Sequence, residues 1–261
     1  MRTHFNQPFP TLPAMSDKNV QPRDQLYASP LDAIVNFQFD EQVVGVFADM
    51  INRSVPGYST VIKSLGILAA RYAQPDSRCY DLGCSLGAAT LSMRQQIRQP
   101  NCRLVAVDNS AAMIERCREH LQVATEEDQV DLILANIQDV AIKDASVVVM
   151  NFTLQFIPPA QRAALLARIW RGLKPGGVLL LSEKICFDDA GEDQALTDWH
   201  HDFKRANGYS DLEISQKRSA LEQVMRPDTL ATHRRRLGDA GFSRVQPWFQ
   251  CFNFASLVAF K

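Results

Sequence analysis

Five short apolar runs alternate with amphipathic segments between positions 78 and 182, and this rhythm restricts the fold more than any other feature of the chain. The runs are Arg78–Leu82, Cys102–Val107, Val130–Leu134, Ala145–Met150 and Gly177–Ser182. They are nearly continuous in apolar residues, as expected of strands covered on both faces. Helices are predicted between them over Ala88–Arg98, Ala111–Gln122 and Pro159–Leu173. Such strands separated by helices imply a parallel sheet with helices on both sides. After Ser182 the alternation stops. Residues 188–226 are polar and mostly helical in pattern, Thr229–Gly238 reads as one more helix, and Arg244–Phe249 with Phe252–Phe260 read as a closing strand pair.

Ahead of the first strand, Asp40 is placed to cap a helix over Glu41–Asn52, and a second amphipathic helix is expected over Ser59–Tyr72. Residues 1–36, with their Pro, Gln, Asn and Asp, are expected to be a disordered extension. The remainder, 37–261, reads as one domain with N-terminal helices at 37–76 and a helical insert at 187–227.

Composition narrows the function. The 28 basic and 29 acidic residues nearly cancel, whereas a chain that grips nucleic acid usually carries a basic excess. A small-molecule substrate is therefore expected, without direct nucleic-acid binding. None of the six cysteines forms a Cys-x-x-Cys pair, so they read as buried thiols and no metal is expected. No run is long and apolar enough to span a membrane and no signal-like stretch is visible, so a soluble, cytoplasmic protein is expected.

The chemistry-bearing motif follows the first strand. In Asp81-Leu-Gly83-Cys84-Ser85-Leu-Gly87, a glycine-rich turn between strand and helix presents backbone N–H groups to a ligand. Gly83-x-Ser85-x-Gly87 also matches a hydrolase nucleophile elbow. That reading lacks an oxyanion-hole glycine cluster upstream, and its best histidine, His233, falls in a His-Arg-Arg-Arg run expected on an exposed helix. Asp108, 21 residues after Gly87 at the end of the second strand, is spaced to accept from ribose hydroxyls. Asn109 adjoins it. Asn136 ends the third strand, where its amide oxygen can accept from an adenine amino group, and Ile137 can pack on the base. Asn151 follows the fourth strand, at the carboxyl edge where ligands of open α/β sheets gather. The Lys174-Pro-Gly-Gly177 turn reads as structural.

These features together resemble class I S-adenosylmethionine-dependent methyltransferases over about residues 79–261. The implied fold is Rossmann-like α/β, a seven-stranded, mostly parallel sheet with an antiparallel last strand. Longer blocks resemble the carboxy-S-adenosyl-L-methionine synthase family: Arg53-Ser-Val-Pro-Gly-Tyr58, Tyr80 to Thr90, Asn151 to Phe156, His200 to Tyr209, Glu213 to Arg218 and Trp248 to Phe254. That resemblance implies an enzyme that converts S-adenosyl-L-methionine and prephenate to carboxy-S-adenosyl-L-methionine and phenylpyruvate. It also implies a homodimer whose product a downstream tRNA carboxymethyltransferase uses at a wobble uridine. It places Tyr58 at the sulfonium end and Arg218 on the new carboxylate. His200, His201 and Arg205 read as dimer contacts or anion-steering groups. A conventional methyltransferase for a small molecule or tRNA, or a regulatory cofactor-binding module, stays open on the core motifs alone.

Overall fold

The structure, a computed structural model, describes residues 22–31, 33, 35–122, 130–222 and 224–261. Seven strands form one sheet: β1 Arg78–Leu82, β2 Arg103–Asp108, β3 Val130–Leu134, β4 Ala145–Asn151, β5 Leu173–Lys184, β6 Arg244–Cys251 and β7 Phe254–Phe260. Their order is β3-β2-β1-β4-β5-β7-β6, and β7 runs antiparallel to both of its neighbours while the other pairings are parallel. This is the expected fold. The helices are α1 Glu41–Ser54, α2 Tyr58–Tyr72, α3 Ala88–Gln96, α4 Ala111–Gln122, α5 Pro159–Gly172, α6 Ala190–Ala206, α7 Asp211–Glu222 and α8 Leu230–Asp239.

The continuous apolar strands divide their side chains between two cores, since successive residues point to opposite faces. Val147 and Val149 of β4 pack with Val61 and Leu65 of α2 and Met93 of α3. Val148 and Met150 face the other way, against Leu165, Leu166 and Ile169 of α5 and Leu237 of α8. Asp40 caps α1 as expected, its carboxylate accepting the Val43 N–H at 3.0 Å. The fifth strand begins earlier than expected because Leu173 pairs with Ala145 before the Lys174–Gly177 turn, after which Val178 pairs with Val147.

Two expectations are corrected. Residues 1–21 lie outside the described residues, but the chain from position 22 does not behave as a disordered extension. Asp24 is 2% exposed and accepts from Tyr209 Oη at 2.5 Å and from Lys217 Nζ at 3.3 Å. The Gln216 amide donates to the carbonyls of Tyr27 and Ser29 and accepts the Leu31 N–H. The segment is polar because it answers buried polar groups of α7, which composition cannot reveal. Removing Asp24 leaves the Lys217 ammonium buried and unpaired, a change that costs about 3–5 kcal/mol. Asp24→Ala is therefore expected to lower the thermal midpoint by about 10 °C, and adding Lys217→Met to restore part of it; a calorimetric scan of both variants checks this.

The second correction concerns His233. It is 2% exposed rather than on an exposed face, and burial lowers its pKa to about 4. It sits beside an ion cluster in which Asp228 accepts from Arg162 at 2.5 Å and Arg236 at 2.7 Å. The fully buried Arg162 also donates to the carbonyls of Gln155, Ile157 and Arg226, tying two loops together. Arg234 and Arg235 remain exposed.

Candidate active site

The turn after β1 is shaped by two left-handed glycines. Gly83 has φ +85°, and a Cβ there would lie 2.4 Å from Thr153 Oγ1. Gly87 has φ +83°, and a Cβ there would lie 2.6 Å from Cys117 Sγ. Only glycine combines this backbone with such close neighbours. Between them, Ser85 is also left-handed, and its N–H donates to Asp108 Oδ2 at 2.9 Å. Its hydroxyl donates to Met113 Sδ rather than to a histidine, so the turn is not a nucleophile elbow. Asp108 Oδ1 accepts the Ser110 N–H at 2.9 Å. Each oxygen keeps a lone pair free for a ligand hydroxyl.

The other predicted residues converge on the same place. All ten, Tyr58, Gly83, Cys84, Ser85, Asp108, Asn109, Asn136, Ile137, Asn151 and Arg218, line one cavity of about 990 Å³ at the carboxyl ends of the parallel strands. That volume accommodates a nucleotide-sized ligand with room for a second small molecule. At one corner Asn109 Nδ2 donates to Asn136 Oδ1 at 3.2 Å, and the Asn136 amide donates to Asp139. The oxygen expected to meet an adenine amino group thus already has one donor and keeps its second lone pair.

At the opposite end, Tyr58 opens α2 directly after the left-handed Gly57, with its ring 6.5 Å from that of Phe152. Burial raises the Tyr58 pKa, with nearby Asp81 adding to the rise, so the phenol stays protonated. Asn151 Oδ1 is buried without a partner among the described residues, an acceptor that a bound molecule can satisfy. The loop from Asn151 to Phe156 is held from beneath by Glu183, whose carboxylate accepts the N–H groups of Leu154 and Gln155 at 2.9 and 2.8 Å. Burial pushes the Glu183 pKa up to about 8.

Helices of the insert close this end. Arg218, on α7, pairs with Glu222 at 2.7 Å and is 59% exposed, so it stands at the rim in a weak surface ion pair. His200, on α6, donates from Nε2 to the Ser54 carbonyl at 2.8 Å, and burial, then Lys184, lowers its pKa to about 3. It is a neutral wall residue, not an anion-steering cation. His201 also lines the cavity, with its pKa lowered by burial, whereas Arg205 is engaged with Asp202 and Asp211 outside it.

Among the wall residues that sequence reasoning missed, three bear on the chemistry. Asp81, inside the quoted turn motif, accepts from Thr90 Oγ1 at 2.6 Å and lines the cavity, where burial raises its pKa to about 6. Lys184, at the end of β5, and Lys204, on α6, also line it. Neither lysine lies in a motif whose spacing announces a ligand.

Residues 80–177 match the model of a methyltransferase domain. The chain is 65% identical over 239 residues to a carboxy-S-adenosyl-L-methionine synthase of Citrifermentans bemidjiense, covering 91% of this chain and 98% of that protein. It is 58% identical to the enzyme of the same name from Vibrio cholerae, over 93% of this chain and 98% of the other. Among solved structures it resembles human N-acetylserotonin methyltransferase in complex with S-adenosylmethionine, with a TM-score of 0.57, 17% identity, and coverage of 85% and 55% of the two chains. The last likeness concerns the fold alone.

Proposed function

Since the chain belongs to the carboxy-S-adenosyl-L-methionine synthase family, an enzyme family acting on S-adenosylmethionine, we propose that it takes the carboxyl group from prephenate and releases phenylpyruvate. The observation that carries this reading is Arg218. It is brought by the insert to the rim of the cofactor cavity, with only a surface partner to give up. The sulfonium methyl group of a methyl donor needs no cation beside it; a second carboxylate carried on that carbon does.

The chemistry balances without a protein base. Prephenate's ring carboxyl leaves as carbon dioxide, its electron pair aromatises the ring, and the ring carbon–oxygen bond breaks. The departing hydroxide takes a proton from the sulfonium methyl group and becomes water. The methyl carbon's freed pair then bonds the carbon dioxide. Within this scheme Gly83, Cys84 and Ser85 hold the nucleoside through the turn backbone. Asp108 holds the ribose, and Asn109, Asn136 and Ile137 hold the adenine. Tyr58, Asn151 and Arg218 surround the reacting end. The protein positions the two substrates, excludes water that would reprotonate the carbanion, and neutralises charge. Phe39, Phe156 and Phe254 supply apolar lining for that exclusion.

The product then serves as carboxymethyl donor for a downstream enzyme at the tRNA wobble uridine, which fits the near-neutral charge of this chain. The enzyme acts as a cytoplasmic homodimer, with exposed Trp199 and Leu212 of the insert as the apolar surface for the second copy. No described helix is long and apolar enough to cross a membrane. Incubating the protein with S-adenosylmethionine and prephenate tests the reaction by mass spectrometry. The expected product is an adenosyl sulfonium heavier by one carbon dioxide; methyl transfer without it supports a conventional methyltransferase instead.

Asp81 adds a pH prediction. With its carboxyl raised to about 6, it is protonated below that value in the free protein. A cationic ligand end favours the carboxylate, so binding S-adenosylmethionine lowers this pKa and takes up the cost of ionisation. Affinity is expected to be flat above about pH 7 and to weaken as pH falls through 6, approaching tenfold per unit. Calorimetric titration across pH 5–8 reads this slope, which Asp81→Asn should abolish.

A further inference from the structure

The cationic end of the cavity holds more charge than one new carboxylate uses. Four cations converge there from three elements: Lys184 from β5, Lys204 from α6, and Lys217 and Arg218 from α7. Two of them have carboxylate partners, Lys217 with Asp24 and Arg218 with Glu222. Lys184 and Lys204 make no ion pair or side-chain hydrogen bond through Nζ among the described residues. Yet Lys204 is 6% exposed, and both side chains are largely surrounded by protein. Burial, then the charges of Lys217 and Lys184, lower the Lys204 pKa to about 7, and the weaker attraction of Asp24 and Glu213 opposes them. For Lys184 burial comes first and Arg218 second. The ring of Tyr209, 5.4 Å from Lys204 Nζ, gives the ammonium a π-face in place of a direct ion-pair partner.

Buried ammonium groups without a direct ion-pair partner are costly, and a cavity wall that keeps two of them suits an anion. S-adenosylmethionine is a poor candidate. Its methionine end carries an ammonium and a sulfonium beside its one carboxylate. The acidic group of the wall available to its ammonium is Asp81, on β1 near Tyr58. A dianionic co-substrate has the opposite character, and β5 and α6 lie beside the position of Arg218, where carbon dioxide must be handed over.

We infer that Lys184 and Lys204 form a second anion site, separate from Arg218, that binds the carboxylates of a dicarboxylate co-substrate. This rests on the reading that prephenate is the carboxyl donor. Lys184 and Lys204 set which donor is accepted and hold it against the sulfonium methyl group, while Arg218 takes the carboxylate once it has been transferred. Neutral His200 lines the same cavity and adds no charge of its own.

Lys184→Met, Lys204→Met and the charge-preserving Lys204→Arg test the assignment. Each methionine variant is expected to raise the KM for prephenate about tenfold or more and to leave the Kd for S-adenosylmethionine within about threefold, with Lys204→Arg recovering much of the loss. Because an unpaired buried charge is removed, the methionine variants should melt at or above the wild-type temperature. An unchanged KM for prephenate overturns the proposal. So does a Kd for S-adenosylmethionine that rises in step, which would place its methionine carboxylate on these lysines, or a large fall in melting temperature, which would mean a structural partner. Direct calorimetric titration of prephenate into the protein loaded with S-adenosylhomocysteine separates this from the reaction itself. Wild-type binding that the methionine variants lose sustains the anion site even without turnover. A wild type that neither binds nor turns over prephenate overturns both.

Discussion

Asp108→Asn is expected to weaken S-adenosylmethionine binding by about a hundredfold or more, through the loss of two charge-assisted acceptors for the ribose at about 1.5–3 kcal/mol each. In the proposed binding mode the carboxylate has two tasks. Its oxygens accept the N–H groups of Ser85 and Ser110 at 2.9 Å each, which sets the turn, and they keep lone pairs for the sugar. Burial raises the Asp108 pKa, and the backbone donors oppose that rise, which favours the charged acceptor in the site. A ligand pair separates the two tasks. Wild-type protein should bind S-adenosylhomocysteine much better than its 2′-deoxy analogue. Asp108→Asn should bind the two about equally. A variant that still distinguishes them would show that Asp108 shapes the turn without touching the ribose.

Arg218→Ala is expected to lose its preference for the carboxylated cofactor while keeping the fold and its affinity for S-adenosylmethionine. The argument turns on what Arg218 holds in the free protein. Its pairing with Glu222 joins two half-exposed side chains one helical turn apart, an interaction contributing at most about 1 kcal/mol. A carboxylate presented from the cavity makes a stronger, less solvated bond, about 1.5–3 kcal/mol, so the guanidinium changes partner readily. The variant should therefore bind carboxy-S-adenosyl-L-methionine about 10–150-fold more weakly, with the melting temperature nearly unchanged. Calorimetry with both cofactors measures the difference. An equal effect on the two, or on neither, sinks the role.

Much of this molecule is legible along the chain. The five apolar runs are the five parallel strands; a strand buried on both faces has no polar side to show, which holds for the interior strands, while β3 at the sheet edge is only half-buried. The glycine turn is legible because Gly83 and Gly87 adopt backbone angles that disfavour side chains, and Asp108 because its spacing follows from the strand–helix–strand unit itself. Local rules have local signatures.

What lies far apart in sequence was decided by packing. The polar stretch around Asp24 looked unable to fold, yet it is buried by Tyr209 and Lys217, 185 and 193 residues away. His233 sits in a basic run that reads as solvated, but Leu237 one turn later takes the helix into the core and carries His233 inward with it. Lys184 and Lys204 stand out because neither makes a direct ion pair among the described residues, and that has no sequence signature. The strand–helix alternation, the glycine turn and the position of Asp108 could be read along the chain, since each depends on neighbours within a few tens of residues. Which charges at the insert pair directly and which do not emerges only on folding, because it depends on side chains brought together from distant parts of the chain and on the water they exclude.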